Sequence, residues 1–231
     1  MSYITELIFK IIIKSIRKIK YHIYIPSFRL RKFILINPSI EPHDLREIFF
    51  PDFQLIREQN LGRLVYIGAS AGINILNLRE RNVVEEIVAV EVNEENKRSL
   101  YHNLKNLNAN IRLEGVSKKG GLSFFSLSSN MSGSFVERTA NQNGRPCNTM
   151  SVEYLYDVVV HDNTTLVLNC NGTGKIILEG IGAVKNKPKK ILVYFFSQSA
   201  GYNRTNLINN LLQYYDRILE DSPYTFFIRK Q

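Results

Sequence analysis

Cysteine is nearly missing from this chain: Cys147 and Cys170 are the two in 231 residues. They stand far apart and lack the close pairing of metal ligands, which argues against both a zinc site and a disulfide framework. A reducing, intracellular setting is expected. Tryptophan is absent, so aromatic packing falls to tyrosine and phenylalanine. Long apolar runs are absent as well. Ile11-Ile12-Ile13 is flanked by Lys10 and Lys14, far short of the ~20 apolar residues that span a bilayer. The same charges interrupt any signal-peptide core, so no cleavable leader is expected. Acids are scarce: 21 against 30 basic residues, for a net charge of +9. Before residue 35, Lys10, Lys14, Arg17, Lys18, Lys20, Arg29, Arg31 and Lys32 face Glu6 alone. That balance favours an anionic partner such as acidic lipid, acidic glycan or nucleic acid, or serves solubility.

What is present is ordinary for a folded domain, with 44% hydrophobic and 22% charged residues. Ile4, Leu7, Ile8, Ile11, Ile12, Ile16 and Ile19 recur at spacings of three and four, which predicts a basic amphipathic helix over residues 1–20. Its apolar stripe can pack on the domain, join a second subunit in a homo-oligomer, or lie on an anionic membrane surface. Pro26, Pro38, Pro42 and Pro51 break the next stretch into short pieces. A strand near Phe33–Ile36 and a short helix near Asp44–Phe49 are expected there. Residues 1–60 therefore read as a helix and irregular lead-in to a domain spanning 61–231.

From residue 61, apolar runs at Leu64–Ile67, Ile87–Val90, Thr165–Leu168 and Ile191–Phe196 read as buried parallel strands. Helical patterns at Glu94–Leu107 and Asn206–Tyr215 separate some of them. The alternation predicts a doubly wound, mostly parallel α/β sheet. Leu122–Leu127 reads as an added strand, residues 128–148 as a polar loop over the strand ends, and Thr225–Ile228 as a last, antiparallel strand.

The densest signal is Val65-Tyr66-Ile67-Gly68-Ala69-Ser70-Ala71-Gly72, followed by Val88-Ala89-Val90-Glu91. Strand, glycine turn, helix and a second strand ending in an acid suit a nucleoside cofactor. Glycines admit close backbone approach, the helix start presents N–H groups, and the acid accepts hydrogen bonds from a ribose diol. Side chains at Gly68 and Gly72 would be expected to block the cofactor.

These residues resemble a known family. Tyr66–Gly72 is similar to the first motif of the FkbM family of S-adenosylmethionine-dependent methyltransferases, Asp-Val-Gly-Ala-Asn-x-Gly. Ala89-Val90-Glu91-Val92-Asn93-Glu94-Glu95-Asn96 resembles its second-strand motif. Thr149–Leu155 sits where the family has a Thr-Leu-Asp-Asp-Leu-like segment. Leu168-Asn169-Cys170-Asn171-Gly172-Thr173-Gly174 resembles its Ile-Asp-x-Glu-Gly-x-Glu motif. Order and spacing agree over roughly residues 60–230. The resemblance implies a seven-stranded class I methyltransferase sheet and S-adenosylmethionine as cofactor. It implies methyl transfer to an oxygen of a glycan, lipid-linked sugar or secondary metabolite. Tyr66, Gly68, Ala69, Ser70, Gly72, Glu91 and Ser117 would then contact the cofactor, while Asn169 and Asn171 would line the reacting end. Ser117-Lys118-Lys119-Gly120-Gly121 also reads as a hairpin turn, the reading its composition favours.

The departures from the family are all losses of acid. Tyr66, Asn169, Asn171 and Gly174 stand where it has carboxylates, and Tyr194-Phe195-Phe196-Ser197 where it often has Glu-x-His. Asparagine accepts a hydrogen bond but brings no charge to a sulfonium and cannot serve as a general base. Each lost charge-assisted bond is worth ~1.5–3 kcal/mol. Either the chain methylates mainly through proximity and orientation, with His161 or Tyr66 filling in, or the fold serves as a catalytically inactive binding module. A nucleic-acid module ranks behind both, because the basic residues are not interleaved with aromatics on a strand face. His161-Asp162, His102 and the basic Lys185–Lys190 turn read more simply as solvated surface, and the Ser128–Ser134 stretch as either a substrate-gating loop or a flexible one. A cytoplasmic location, peripheral at the inner membrane if residues 1–20 bind lipid, follows from the same features.

Overall fold

The computed structural model describes residues 23–27, 30, 32–36, 56–127, 133–136, 145–170, 173–194, 204–221 and 224–231. The helices expected at 1–20 and 44–49, most of Ser128–Ser134, Asn171 and residues 195–197 lie outside the described residues.

The chain opens with strands β1 (Ile23–Ser27), β2 (Lys32–Ile36) and β3 (Asn60–Ile67), then helix α1 (Ile73–Arg81) and β4 (Val83–Val90). A 3-10 turn (Glu94–Asn96) leads into α2 (Lys97–Leu104). Then come β5 (Ala109–Arg112), β6 (Gly115–Ser117), β7 (Lys119–Leu127), β8 (Gly133–Val136) and β9 (Arg145–Ser151). A short α3 (Val152–Tyr154) continues as a π-helical turn (Leu155–Val159). The remainder is β10 (Thr164–Leu168), α4 (Thr173–Gly180), β11 (Lys190–Tyr194), α5 (Arg204–Leu211), β12 (Tyr215–Asp221) and β13 (Tyr224–Arg229).

Seven strands form one sheet in the order β12-β13-β11-β10-β3-β4-β5. Neighbours run parallel except where β13 pairs with β11 and β12. This is the doubly wound sheet expected from the apolar runs, with its antiparallel strand near the C-terminus. Both faces are buried, which is why the runs are continuous rather than alternating. Period-two geometry divides them between two cores. Val65, Ile67, Val88, Val90, Leu166, Leu168, Ile191 and Val193 face one side, with Ile177 and Leu178 of α4 and Leu207 and Leu211 of α5. Leu64, Tyr66, Ile87, Ala89, Val167 and Leu192 face the other, with Ile73 and Leu76 of α1 and Leu100 and Leu104 of α2.

The lead-in is more ordered than its prolines suggested. β1 and β2 form an antiparallel hairpin, and Ile25, Ile34 and Ile36 enter the core beside α1 and α2. Burial of each such side chain is worth ~1.5–3 kcal/mol, enough to outweigh a local break at Pro26.

Leu122–Leu127 is a strand, as expected, but of a separate four-stranded sheet ordered β6-β9-β7-β8. That sheet also claims part of the expected 128–148 loop, since β8 and β9 both pair with β7. Pro146 is tolerated in β9 because β6 pairs only with Thr149 to Ser151, leaving Pro146 opposite β7 alone. Nor do residues 117–121 form a hairpin turn: β9 lies between β6 and β7 in that sheet. The last expected helix ends at Leu211, and Tyr215 is buried in strand β12 instead.

Candidate functional site

The strand order reverses beside β3. The chain runs from β3 outward through β4 to β5, then crosses to β10 on the other side of β3. Open α/β sheets bind ligands in the crevice beyond the carboxyl ends of strands at such a reversal. The sequence places Gly68, Glu91 and Asn169 there.

Gly68 follows β3 at φ 83°. Its N–H donates to the Val90 carbonyl at 2.9 Å, and the Ala69 N–H to the same oxygen at 3.0 Å. A Cβ on Gly68 would lie 2.1 Å from the Asn169 carbonyl oxygen. A Cβ on Gly72, at φ 82°, would meet Leu100 and Leu104 of α2 at 3.0 and 3.2 Å. Both glycines are thus required by the protein's own packing. That internal reason stands beside the expectation that they clear room for a cofactor. Ser70 also adopts a positive φ of 47°, uncommon for a residue with a Cβ. Ala69 is buried in the core.

Glu91 explains how Ser70 is held. Its Oε2 accepts from the Ser70 N–H and its Oε1 from the Asn93 N–H, both at 2.7 Å. Its own N–H donates to the Arg112 carbonyl at 3.0 Å. The side chain is 6% exposed. Burial raises its pKa above the ordinary carboxylate range, against the hydrogen bonds from Asn93, Ser70, Asn96 and Val92 that lower it. The carboxylate therefore ties the loop after β3 to the loop after β4, while the Glu91 main chain holds the end of β5.

Tyr66 is fully buried in the α1 side of the core. Its phenol oxygen accepts from Asn169 Nδ2 at 3.0 Å, and the Asn169 N–H donates to the Ile67 carbonyl at 3.0 Å. A neutral pair thus bridges the ends of β3 and β10. Cys170, which the sequence reading gave no role, lies beside this loop, its Cβ 3.3 Å from where a Gly68 Cβ would stand. Burial, with some help from the Glu91 charge, pushes the Cys170 thiol up to about 12, so it is no thiolate nucleophile at neutral pH. Asn93 was also passed over. It is 3% exposed and its Nδ2 has no partner. In the first turn of α1, Asn74 is equally buried with both amide atoms unpartnered. A polar residue within an apolar pattern was the available signal for Asn74, whereas Asn93 opens a polar run that gives none.

Four expectations need correction. His161 is exposed and precedes β10, its N–H bonded to Thr164 Oγ1. The whole of β10 separates it from Asn169, roughly 15 Å at ~3.3 Å per residue. It cannot replace a missing base at the crevice. Lys190 in the basic turn is buried at the same far end, its ammonium bonded to the Asn60 carbonyl. His102 is half-buried and packs edge-on to Tyr24 at 5.2 Å. Ser117 is buried, its Oγ bonded to Thr149 Oγ1 at 2.8 Å and accepting from the Gly120 N–H at 3.0 Å. Its hydroxyl thus braces the small sheet. Asn171 lies outside the described residues.

Among solved structures, the FkbM methyltransferase of Methylobacillus flagellatus KT superposes with a TM-score of 0.50 at 12% identity, covering 94% of this chain and 57% of that one. The fold is that of the S-adenosylmethionine-dependent methyltransferases. A ribosomal RNA methylase from Streptococcus thermophilus matches at TM-score 0.40 and 12% identity, over 77% of this chain and 91% of that one. Aeropyrum pernix fibrillarin with natively bound S-adenosyl-L-methionine matches at 0.41 and 12%, over 74% and 67%. The chain spans little more than half of the FkbM structure. No protein-family model matches the sequence, and no curated protein matches it.

The residues at the crevice fit an adenosyl group in their chemistry. Glu91 is an acceptor at the end of the second sheet strand from the reversal. An unpaired buried donor, Asn93 Nδ2, stands two residues on. Among the described residues, no cluster of three or more His, Cys, Asp or Glu could hold a metal ion, and no helix is long and apolar enough to cross a membrane.

Proposed function

We propose that the protein binds S-adenosylmethionine beyond the ends of β3, β4 and β10. Methyl transfer would go to an oxygen of a glycan, lipid-linked sugar or secondary metabolite. The observation that carries this reading is the buried Glu91 carboxylate, bonded to the glycine loop at the reversal of strand order. Glu91 accepts from the ribose hydroxyls. Main chain from Gly68 to Gly72 lines the methionine portion, with Tyr66 and Asn169 near the reacting end. The bound cofactor supplies an electrophilic methyl group on a sulfonium. The chain's part is to orient that group and exclude water, since a neutral Tyr66–Asn169 pair cannot take a proton from an acceptor hydroxyl.

Calorimetric titration tests the reading. Saturable micromolar binding of S-adenosylmethionine or S-adenosylhomocysteine, abolished in Glu91→Ala, is expected. Absence of binding at millimolar ligand in the folded parent would overturn it.

The Tyr66–Asn169 bond favours a second reading, a catalytically inactive methyltransferase fold used for binding. It occupies with neutral groups two positions where the resembling family carries acids. Under this reading the parent binds cofactor weakly and Asn169→Asp restores affinity. Unchanged affinity in Asn169→Asp would count against a decayed site.

A further inference from the structure

The buried amides of this protein are unevenly served: neither amide atom of Asn74 has a partner, whereas Asn103 is fully engaged. Asn103 is 5% exposed. Its Oδ1 accepts from the Leu35 N–H at 2.9 Å, and its Nδ2 donates to the Leu35 and Ala71 carbonyls at 2.8 Å each. Asn93 is different. Its backbone N–H is committed to Glu91 Oε1 at 2.7 Å, and its carbonyl accepts from the Asn96 N–H at 3.0 Å. Its Oδ1 accepts from the Glu95 N–H at 3.2 Å, capping the 3-10 turn. That cap fixes which way the amide lies, because the flipped amide would set two donors against each other. The remaining atom, Nδ2, is buried and has no partner. A buried donor left in this state is costly, and such an atom in a native fold calls for an explanation such as a ligand.

The chemistry of a ribose hydroxyl supplies one. A hydroxyl has one proton to give and two lone pairs to fill. Glu91 can take the proton but can donate nothing in return. A hydroxyl enclosed beside Glu91 alone would leave its lone pairs unserved. An amide N–H two residues further along the same loop, tied to that carboxylate through its own backbone, completes the set. We propose that Asn93 is a ligand-binding residue whose Nδ2 donates to a sugar hydroxyl oxygen of the adenosyl ligand held by Glu91. It thereby selects ribose over deoxyribose. This rests on the adenosyl-binding reading above.

The test is a ligand-by-mutant cycle. S-adenosylhomocysteine and its 2′-deoxy and 3′-deoxy analogues are titrated calorimetrically into the parent and into Asn93→Ser, whose hydroxyl keeps the cap to Glu95. Circular dichroism checks that the variant is folded, and Asn93→Thr serves if it is not. Loss of the donor is expected to weaken S-adenosylhomocysteine about tenfold. One deoxy analogue, weakened in the parent, should then bind the variant no worse than S-adenosylhomocysteine does. If the variant binds like the parent, or all three ligands weaken by the same factor, the assignment of Asn93 falls while the cofactor reading stands. If the parent binds none of the three, both fall together.

Discussion

At the scale of single residues, the glycine loop is set by backbone collisions as much as by any ligand. Gly68 combines a left-handed φ with a site where a Cβ would strike the Asn169 carbonyl. Gly68→Ala should therefore cost ~2–4 kcal/mol in urea unfolding. A change within half a kcal/mol would show that the loop can shift without penalty. Glu91 carries two opposed pH dependences. Because burial raises its pKa, the folded protein keeps this proton at pH values where the unfolded chain has lost it. Its contribution thus favours folding below the ordinary carboxylate range and is lost as pH rises through the folded value. Ligand affinity should move the other way, rising over the same interval as the ionised carboxylate becomes available. Paired urea and calorimetric measurements across mildly acid pH should show both slopes, and both should flatten in Glu91→Gln. Parallel slopes would mean that another group governs one of them. Glu91 was readable from sequence because an acid after an apolar run breaks its pattern. The Tyr66–Asn169 bond was not, because its partners are distant in the chain and meet only through parallel pairing of β3 and β10.

At the scale of elements, the β1–β2 hairpin is joined to the methyltransferase-type sheet through α2. Asn103 makes three buried hydrogen bonds, two to Leu35 and one to Ala71 beside Gly72. One side chain thereby holds the hairpin, α2 and the glycine loop in register. Asn103→Ala leaves those backbone groups unserved in a buried place and should destabilise by roughly 2–4 kcal/mol. It should also speed amide exchange at Leu35 selectively, whereas uniform exchange across the sheet would point to a global effect alone. The hairpin's depth in the core could not be inferred from a stretch broken by prolines, because its burial depends on Leu100 and Leu104 arriving from a helix much later in the chain. The four-stranded sheet was likewise only half visible. Leu122–Leu127 has strand chemistry, whereas Arg145–Ser151 is polar enough to read as loop and becomes strand only because β6 and β7 both pair with it.

At the scale of the whole molecule, the seven-stranded sheet contributes side chains to both cores from the same strands. Neither face can be lost without exposing the other. Far-ultraviolet circular dichroism and tyrosine near-ultraviolet signals should therefore report one coincident unfolding transition in urea. Two separated midpoints would show that the small sheet or the hairpin unfolds independently. The sequence alone determined the doubly wound class, the glycine turn and the acid ending the second strand of the motif, since local period and residue chemistry carry those features. Tertiary structure decided which residues share the crevice. It took His161 to the far end of β10, put Ser117 into the bracing of a second sheet, and brought Cys170 and an unpaired Asn93 amide close to the site. Such neighbourhoods arise from strand order and the reversal beside β3, and a linear pattern of apolar and polar residues does not encode strand order.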